Sequence, residues 1–375
     1  MLEAPAVLIA AASGRALAAS ARRAGYAPLV VDFFADDDTR EAAESCVRLK
    51  DGLARGFQRD SLMAACERLA AGRTVAGVVY GSGFEDRPTL IEAMAKRWRL
   101  MGNPATIVAR LKDPLIFAAL CRDIAVPHPE TRLDRPADSS RWLARQRGGS
   151  GGGHIRSAEA DPPADGETYF QRRVDGRSVS ALVLADGARC VILGFSEQWA
   201  QERRPFRFAG AARPASIPPS VEQALAAAAG RFCERTPLVG LNSLDFLATE
   251  DGIWLLEVNP RPGATLDIFE PERGPSLFAL HAAACEGVLE PAPRIEGARA
   301  TQIVYASYEI AETPSFVWPP WARDRQPAGS AVAEGDPFCT VVAGGATAAD
   351  ARRALAGRVA TIESSIRSSI RTRAA

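Results

Sequence analysis

Three observations predict a mixed fold, α/β over residues 1–105 and α+β beyond. The opening PAVLIAA (residues 5–11) reads as a buried parallel strand; Ser13-Gly14, an alanine-rich helix to Arg23 and a second strand over Pro28–Phe33 complete a βαβ unit. Two short apolar runs, Leu244–Thr249 and Ile253–Asn259, flank Glu250-Asp251-Gly252 as the arms of an antiparallel hairpin would. The 375 residues suffice for two or three domains with buried cores.

The elements follow in order. No G-x-G-x-x-G succeeds the first strand, so a dinucleotide is not indicated, although Asp32 ends the second strand where a ribose ligand can sit. A helix near Ser61–Ala71, a strand at Val75–Tyr80 and a helix around Leu90–Trp98 continue the α/β alternation. Between the last two, Gly81-Ser82-Gly83-Phe84-Glu85 lies at the carboxyl end of a parallel strand, the ligand-facing position of open sheets, which makes Ser82 and Glu85 candidate substrate contacts. The plainer reading is a glycine turn with Glu85 in solvent.

Asp113-Pro114 reads as the N-cap and first-turn proline of a helix through Arg122. Arg141–Ile155, RWLARQRGGSGGGHI, reads as a strand, a glycine-rich loop and a returning strand. Glycines there, Gly149, Gly151 and Gly152 among them, leave backbone N–H groups free to close over phosphates, and Ser150 adds a hydroxyl; a flexible linker is the alternative. His154 at the end of the loop is placed to touch phosphate, with packing at a strand start as the plainer expectation. Tyr169–Val174 and Arg177–Ala185 read as a hairpin, and Asp186-Gly187 turns into a strand over Ala188–Phe195. Glu202–Ala212 reads as a basic, aromatic loop near a substrate or as solvated charge. Ser220 with Gln223 reads as the capping box of a helix through Arg231, and Ser276–Glu286 as a later helix with His281 on its face. Prolines 291 and 293 suggest a boundary before strand-like runs at Ile303–Tyr308 and Thr340–Val342 and a closing amphipathic helix from Ala348 to about Ile370. The expected domains are therefore 1–105, 106–290 and 291–375.

Composition excludes several classes. The 45 basic and 45 acidic side chains cancel, so no net field attracts nucleic acid or an anionic membrane. Lysine occurs only at positions 50, 96 and 112, so a lysine beside a motif stands out in an arginine-rich chain. The seven cysteines show no C-x-x-C spacing and fit reduced thiols in a cytoplasm. Glu3 and the run into Arg15 fit a first strand rather than a leader peptide, and no apolar run approaches the roughly 20 residues of a membrane span.

The chemistry concentrates in Gly240–Gly263. A three-residue turn pairs Thr249 with Ile253, Leu247 with Leu255 and Asp245 with Glu257, which puts Leu244, Phe246, Leu256 and Val258 on the opposite face. Two carboxylates opposed across strands repel unless a cation joins them, and hard oxygen donors of this kind suit Mg²⁺ shared with a substrate phosphate. Asn259 points the same way and Arg261 lies within reach of the anion; an exposed hairpin with solvated acids is the alternative.

At these residues the chain resembles the ATP-grasp superfamily, whose members carry an acid and then E-x-N-x-R, matched here by Asp245, Glu257, Asn259 and Arg261. The resemblance covers about Ala105–Glu270 well and the first domain more loosely. It implies an ATP-grasp fold with an N-terminal Rossmann-like (pre-ATP-grasp) domain and a small C-terminal appendage. It further implies that Asp245, Glu257 and Asn259 hold Mg²⁺ (or Mn²⁺) with ATP, and that Arg261 contacts the transferred phosphate, with Glu257 and Asn259 also serving catalysis. Lys112 then reaches the phosphates; Gly149, Ser150, Gly151 and Gly152 form the phosphate loop; Gln171, Arg172 and Val174 lie in the adenine hinge, and Asp175 near the ribose. The family's second nucleotide lysine is replaced here by Arg145, which keeps the charge but changes donor geometry.

The implied reaction is an ATP-dependent joining of a carboxylate to an amine through an acyl-phosphate, with release of ADP and phosphate. The LEVNPRPGATLDIFE stretch is similar to biotin-carboxylase-related ligases of methylotrophs and methanogens, associated with methanofuran- and methanopterin-type cofactors and glutamate attachment. Two other readings stay open: an ATP-binding regulator altered at Arg145, and a carboxylase that activates bicarbonate. The expected partners are small carboxylates and amines, with a homodimer as the commonest symmetric assembly.

Overall fold

The computed structural model describes residues 4–50, 52–160, 167–315 and 317–374; Glu3 lies outside them. The first layer comprises β1 (Ala6–Ala10), α1 (Arg15–Arg23), β2 (Ala27–Asp32), α2 (Asp37–Ala42), β3 (Ser45–Arg48), α3 (Gly52–Arg55), α4 (Arg59–Ala70), β4 (Val75–Tyr80) and α5 (Pro88–Ala95). Its four strands run parallel in the order β3-β2-β1-β4. Apolar residues on both faces of β1 explain that choice, because a parallel sheet is covered on both sides. Leu8 and Ala10 enter a core with α4 and α5, while Val7 and Ile9 enter a second core with Leu184, Leu241 and Phe278, which joins this layer to the rest of the chain.

Two helices lead on, α6 (Ala105–Lys112) and α7 (Pro114–Asp123), the second capped by Asp113, whose carboxylate accepts from Leu115 N and Ile116 N at 3.0 Å. A small sheet of order β5-β8-β6-β7 follows, formed by β5 (Thr131–Arg132), β6 (Trp142–Gln146), β7 (Arg156–Ser157) and β8 (Thr168–Arg172). The remaining elements are β9 (Arg177–Asp186), β10 (Cys190–Gln201), β11 (Arg204–Arg213), α8 (Pro219–Arg235), β12 (Val239–Thr249), β13 (Gly252–Asn259), α9 (Leu266–Phe269), α10 (Leu277–Cys285), β14 (Ala298–Tyr305), β15 (Ala322–Arg323), β16 (Pro337–Gly345) and α11 (Ala348–Ala374). Their strands form one eight-stranded sheet, β13-β12-β9-β10-β11-β14-β16-β15, which passes without a break over the proline-rich segment near residue 291. No helix among the described residues is long and apolar enough to cross a membrane.

Four local expectations are corrected. The strand at Tyr169 and the strand at Arg177 do not form a hairpin: β8 pairs with β5 and β6, whereas β9 pairs with β10 and β12 in the large sheet. Glu202–Ala212 is mostly strand, β11, because residues 204–213 find partners on β10 and β14. Helix α8 starts at Pro219 with Pro218 at the cap and no side-chain bond there, so Ser220 and Gln223 form no capping box. The hairpin register differs near its turn: Thr249 pairs with Gly252 and Phe246 with Leu255, leaving a two-residue turn. A bulge between Asp245 and Phe246 then restores the Asp245–Glu257 pair, so Leu255 is buried and Leu256 lines the cavity described below.

Candidate active site

The large sheet, the small sheet and the β4 loop enclose a cavity of about 1090 Å³. Hairpin β12–β13 supplies its acidic wall, since Ser243, Asp245, Leu247 and then Glu257 and Asn259 alternate toward it while Leu244, Phe246, Leu255 and Val258 are buried behind. Asn259 Nδ2 donates to Asp245 Oδ2 at 2.9 Å, and Ser180 on β9 donates to Asp245 Oδ1 at 2.6 Å. Ser180 is marked in the sequence only as the hydroxyl that heads the apolar run SALVLA.

Two cations stand over these acids. Arg145 on β6 donates from Nη2 to Glu257 Oε2 at 3.0 Å and from Nη1 to Gln171 Oε1 at 2.6 Å. Lys112, the last residue of α6, donates to Asn259 Oδ1 at 3.0 Å and lies 4.0 Å from Glu257 Oε2. Burial would raise the Glu257 carboxyl, but Lys112 and Arg145 prevail and hold it at about 2. Asp245 moves the other way, to about 6, through burial and then the charge of Glu257. Asp245, Glu257 and Asn259 offer hard oxygen donors, and this donor set fits Mg²⁺ held jointly with phosphate oxygens. Among the described residues no group of three or more His, Cys, Asp or Glu side chains converges on a metal site, so an ion here needs oxygens from elsewhere.

Arg261 follows β13 and is buried against Glu85: Nε donates to Glu85 Oε1 at 2.7 Å, and Nη2 lies 2.6 Å from the same oxygen. The other oxygen of Glu85 accepts from Gly83 N at 2.8 Å and Phe84 N at 2.9 Å. Burial opposes this carboxylate, yet Arg261 and Lys112 bring it below the usual range. Glu85 is thus placed behind Arg261 rather than along the cavity, while Ser82 lines the cavity itself.

The glycine loop between β6 and β7 forms the lid side. Gly152 has φ +73°, and a Cβ there would fall 1.7 Å from the Phe206 carbonyl oxygen, so only glycine permits this approach to β11. Gly151 O accepts from Phe208 N at 3.0 Å, and Gly148 rests on the backbone of Glu85 and Asp86. Ser150, Gly151 and Gly152 line the cavity; Gly149 lies under the ring of His154 and borders a smaller side pocket with Lys112, Gln171 and Glu257. His154 is held neutral, near 4, by burial and by Arg145, so it adds no charge at neutral pH. Arg172, Val174 and Asp175 line the cavity at the end of β8, and Asp175 accepts from Arg173 Nε at 2.9 Å. Tyr169, also missed above, places its ring 5.8 Å from the Arg145 guanidinium.

The cavity wall beside the glycine loop is aromatic and basic. Arg207 stacks on Tyr305 at 4.0 Å and donates to Gly335 O at 2.7 Å, and Trp199, Arg204 and Ile303 complete the wall.

Residues 115–265 match a family model described as an ATP-grasp domain. The architecture is the ATP-grasp fold. It is similar to an ADP complex of the N5-carboxyaminoimidazole ribonucleotide synthetase purK, with 17% identity over 97% of this chain and 98% of that one and a TM-score of 0.71. The biotin carboxylase of Campylobacter jejuni, in complex with β,γ-ATP, is 15% identical over 91% of this chain and 87% of its own, with a TM-score of 0.70. The N5-carboxyaminoimidazole ribonucleotide synthetase of Thermotoga maritima is 13% identical over 96% and 98%, with a TM-score of 0.67. Among curated proteins, none matches this sequence.

Proposed function

We propose that this chain is an ATP-dependent ligase that activates a carboxylate as an acyl-phosphate and passes the acyl group to an amine, releasing ADP and phosphate. The observation that carries this reading is the convergence of Asp245, Glu257, Asn259, Arg145 and Arg261 around one cavity bordered by a glycine loop, with Lys112 bonded to Asn259 from the adjoining side pocket. The residues given to the nucleotide, from Lys112 to Arg261, belong to the 106–290 segment of this reading, while the β4 loop adds Ser82 and, through Arg261, Glu85, and Ile303, Tyr305 and Arg352 add to the cavity wall.

Each residue has a task that its position supports. Lys112 and Arg145 face the polyphosphate, with the hinge after β8 taking the base. Arg261, fixed in direction by Glu85, meets the charge that develops on the transferred phosphoryl group and on the acyl-phosphate oxygen; such preorganised cations commonly supply the largest share of a phosphoryl-transfer rate. Asp245, Glu257 and Asn259 would hold Mg²⁺ or Mn²⁺, which supplies neutralisation of phosphate charge. The glycine loop excludes water, so the acyl-phosphate meets the amine before it hydrolyses.

A carboxylase-type variant, with bicarbonate as the acid, is favoured by a specific observation: the neighbours named as a carboxyaminoimidazole synthetase and as biotin carboxylases align over nearly the full chain. Bicarbonate is therefore the first acid to test. Glutamate attachment in one-carbon cofactor biosynthesis rests on the sequence resemblance, and glutamate enters the same screen.

The test measures ADP release with Mg²⁺ and ATP against bicarbonate, glutamate and mixed acids, with and without amines, and traps the acyl-phosphate with hydroxylamine. Acid-dependent ADP and a hydroxamate are the expected results. Tight nucleotide binding with no ADP from any acid would instead identify a regulator.

A further inference from the structure

The oxygens assigned to the metal already carry proton donors. Glu257 Oε2 is held by Arg145 Nη2 at 3.0 Å with Lys112 Nζ at 4.0 Å, Asn259 Oδ1 by Lys112 Nζ at 3.0 Å, and Asp245 Oδ1 and Oδ2 by Ser180 and Asn259 at 2.6 and 2.9 Å. Two carboxylates face two buried cations, so the cluster is neutral as it stands. A bare divalent ion would have to displace or approach both cations, at a cost that rises with the burial of the site.

We infer that Arg145 and Lys112 are stand-ins for the metal, surrendering Glu257 and Asn259 only when a polyphosphate offers them other oxygens, so that the protein takes up a divalent ion only together with nucleotide. This rests on the nucleotide-and-metal reading of the same site.

Arg145 is suited to the exchange in a way a lysine is not. Its planar fork bridges Gln171 and Glu257 at once, it cannot shed its proton, and its third nitrogen, Nε, is buried without a partner. That buried, unmet N–H favours any movement of the guanidinium that brings it to an oxygen acceptor, because an orphaned buried donor is costly until it is satisfied. Drawing the guanidinium toward phosphate lengthens its bond to Glu257 and frees the carboxylate for the ion. Lys112 makes the same move from Asn259.

The experiment measures Mn²⁺ affinity by electron paramagnetic resonance on the full chain, with and without a non-hydrolysable ATP analogue. The wild type should bind Mn²⁺ about a hundredfold more tightly with the analogue, and by linkage Mn²⁺ should tighten the analogue by the same factor. Arg145→Met removes the competing charge and should tighten bare Mn²⁺ about tenfold, whereas Arg145→Lys, which keeps the charge, should not. Equal Mn²⁺ affinity of the wild type with and without the analogue would overturn the inference and leave the site reading intact. Absence of Mn²⁺ binding even with the analogue bound would overturn both. Where Arg145→Met fails to fold, Arg145→Gln removes the same charge, and bare Mn²⁺ affinity no tighter than wild type in the folded neutral variant would overturn the inference.

Discussion

Arg261 and Glu85 are 176 residues apart and share one bond line, Nε to Oε1 at 2.7 Å, in a pocket where both side chains are nearly inaccessible to water. The pair aims the guanidinium that lies two residues beyond β13, and it ties the first layer of the molecule to the site.

Replacing Glu85 by Gln leaves Arg261 charged and without its counter-ion. Breaking a buried pair from one side costs about 3–5 kcal/mol, so thermal denaturation should show a markedly lower midpoint. The remaining folded enzyme should turn over at least about tenfold more slowly, since a small misplacement of a catalytic cation is expensive. A variant with wild-type melting and turnover would remove Glu85 from this role.

Glu257→Gln keeps the shape of the side chain and a hydrogen-bond acceptor for Arg145 but removes the charge offered to the metal. Acid-dependent ADP release should fall by roughly two to three orders of magnitude, the loss typical of removing one preorganised electrostatic contact. Unaltered ADP release in this variant would contradict the assignment.

Gly152→Ala drives a methyl into the Phe206 carbonyl at a backbone angle that disfavours side chains. The loop must lift from β11, while the cores stay intact. The expected outcome is a weakened nucleotide affinity, by about tenfold, with a melting temperature close to wild type; calorimetric titration with the ATP analogue reads the first and denaturation the second.

His281 is fully buried, accepts from Leu241 N through Nδ1 at 2.9 Å and meets Met101 O through Nε2 at 3.0 Å, a neutral tautomer in both contacts. Burial lowers it from 6.5 to about 4. Between those values the unfolded chain takes up a proton that the folded chain refuses, so the stability it contributes is full above about pH 6.5 and is lost as pH falls toward 4. The loss amounts to roughly 3 kcal/mol for a shift of this size. Urea denaturation at pH 7.5 and pH 5 checks it, and a midpoint unchanged between the two would refute it.

Much of the site was readable because its signal is local. Asp245, Glu257, Asn259 and Arg261 stand within one hairpin and its exit, where alternation fixes which residues share a face. Turn chemistry alone puts Leu255 and Leu256 on the faces opposite to those observed, because a bulge depends on neighbouring strands rather than on the turn. The split of β8 from β9 was hidden for a related reason: β8 is drawn to β5 and β6 by pairings that no short window contains. Glu85 looked like a cavity residue because its partner lies far along the chain, and the grip of Arg145 on Glu257 spans 112 positions. Local pattern reports periodicity; it does not report which distant group will satisfy a buried charge.

The eight-stranded sheet that runs from β13 to β15 has an implication for anyone shortening this protein. Cutting after the prolines near residue 291 would strip β14 from β11 and leave the backbone of residues 210–213 open along a raw border. Such a border recruits strands from other molecules, so the truncated protein should clump rather than yield a minimal catalyst.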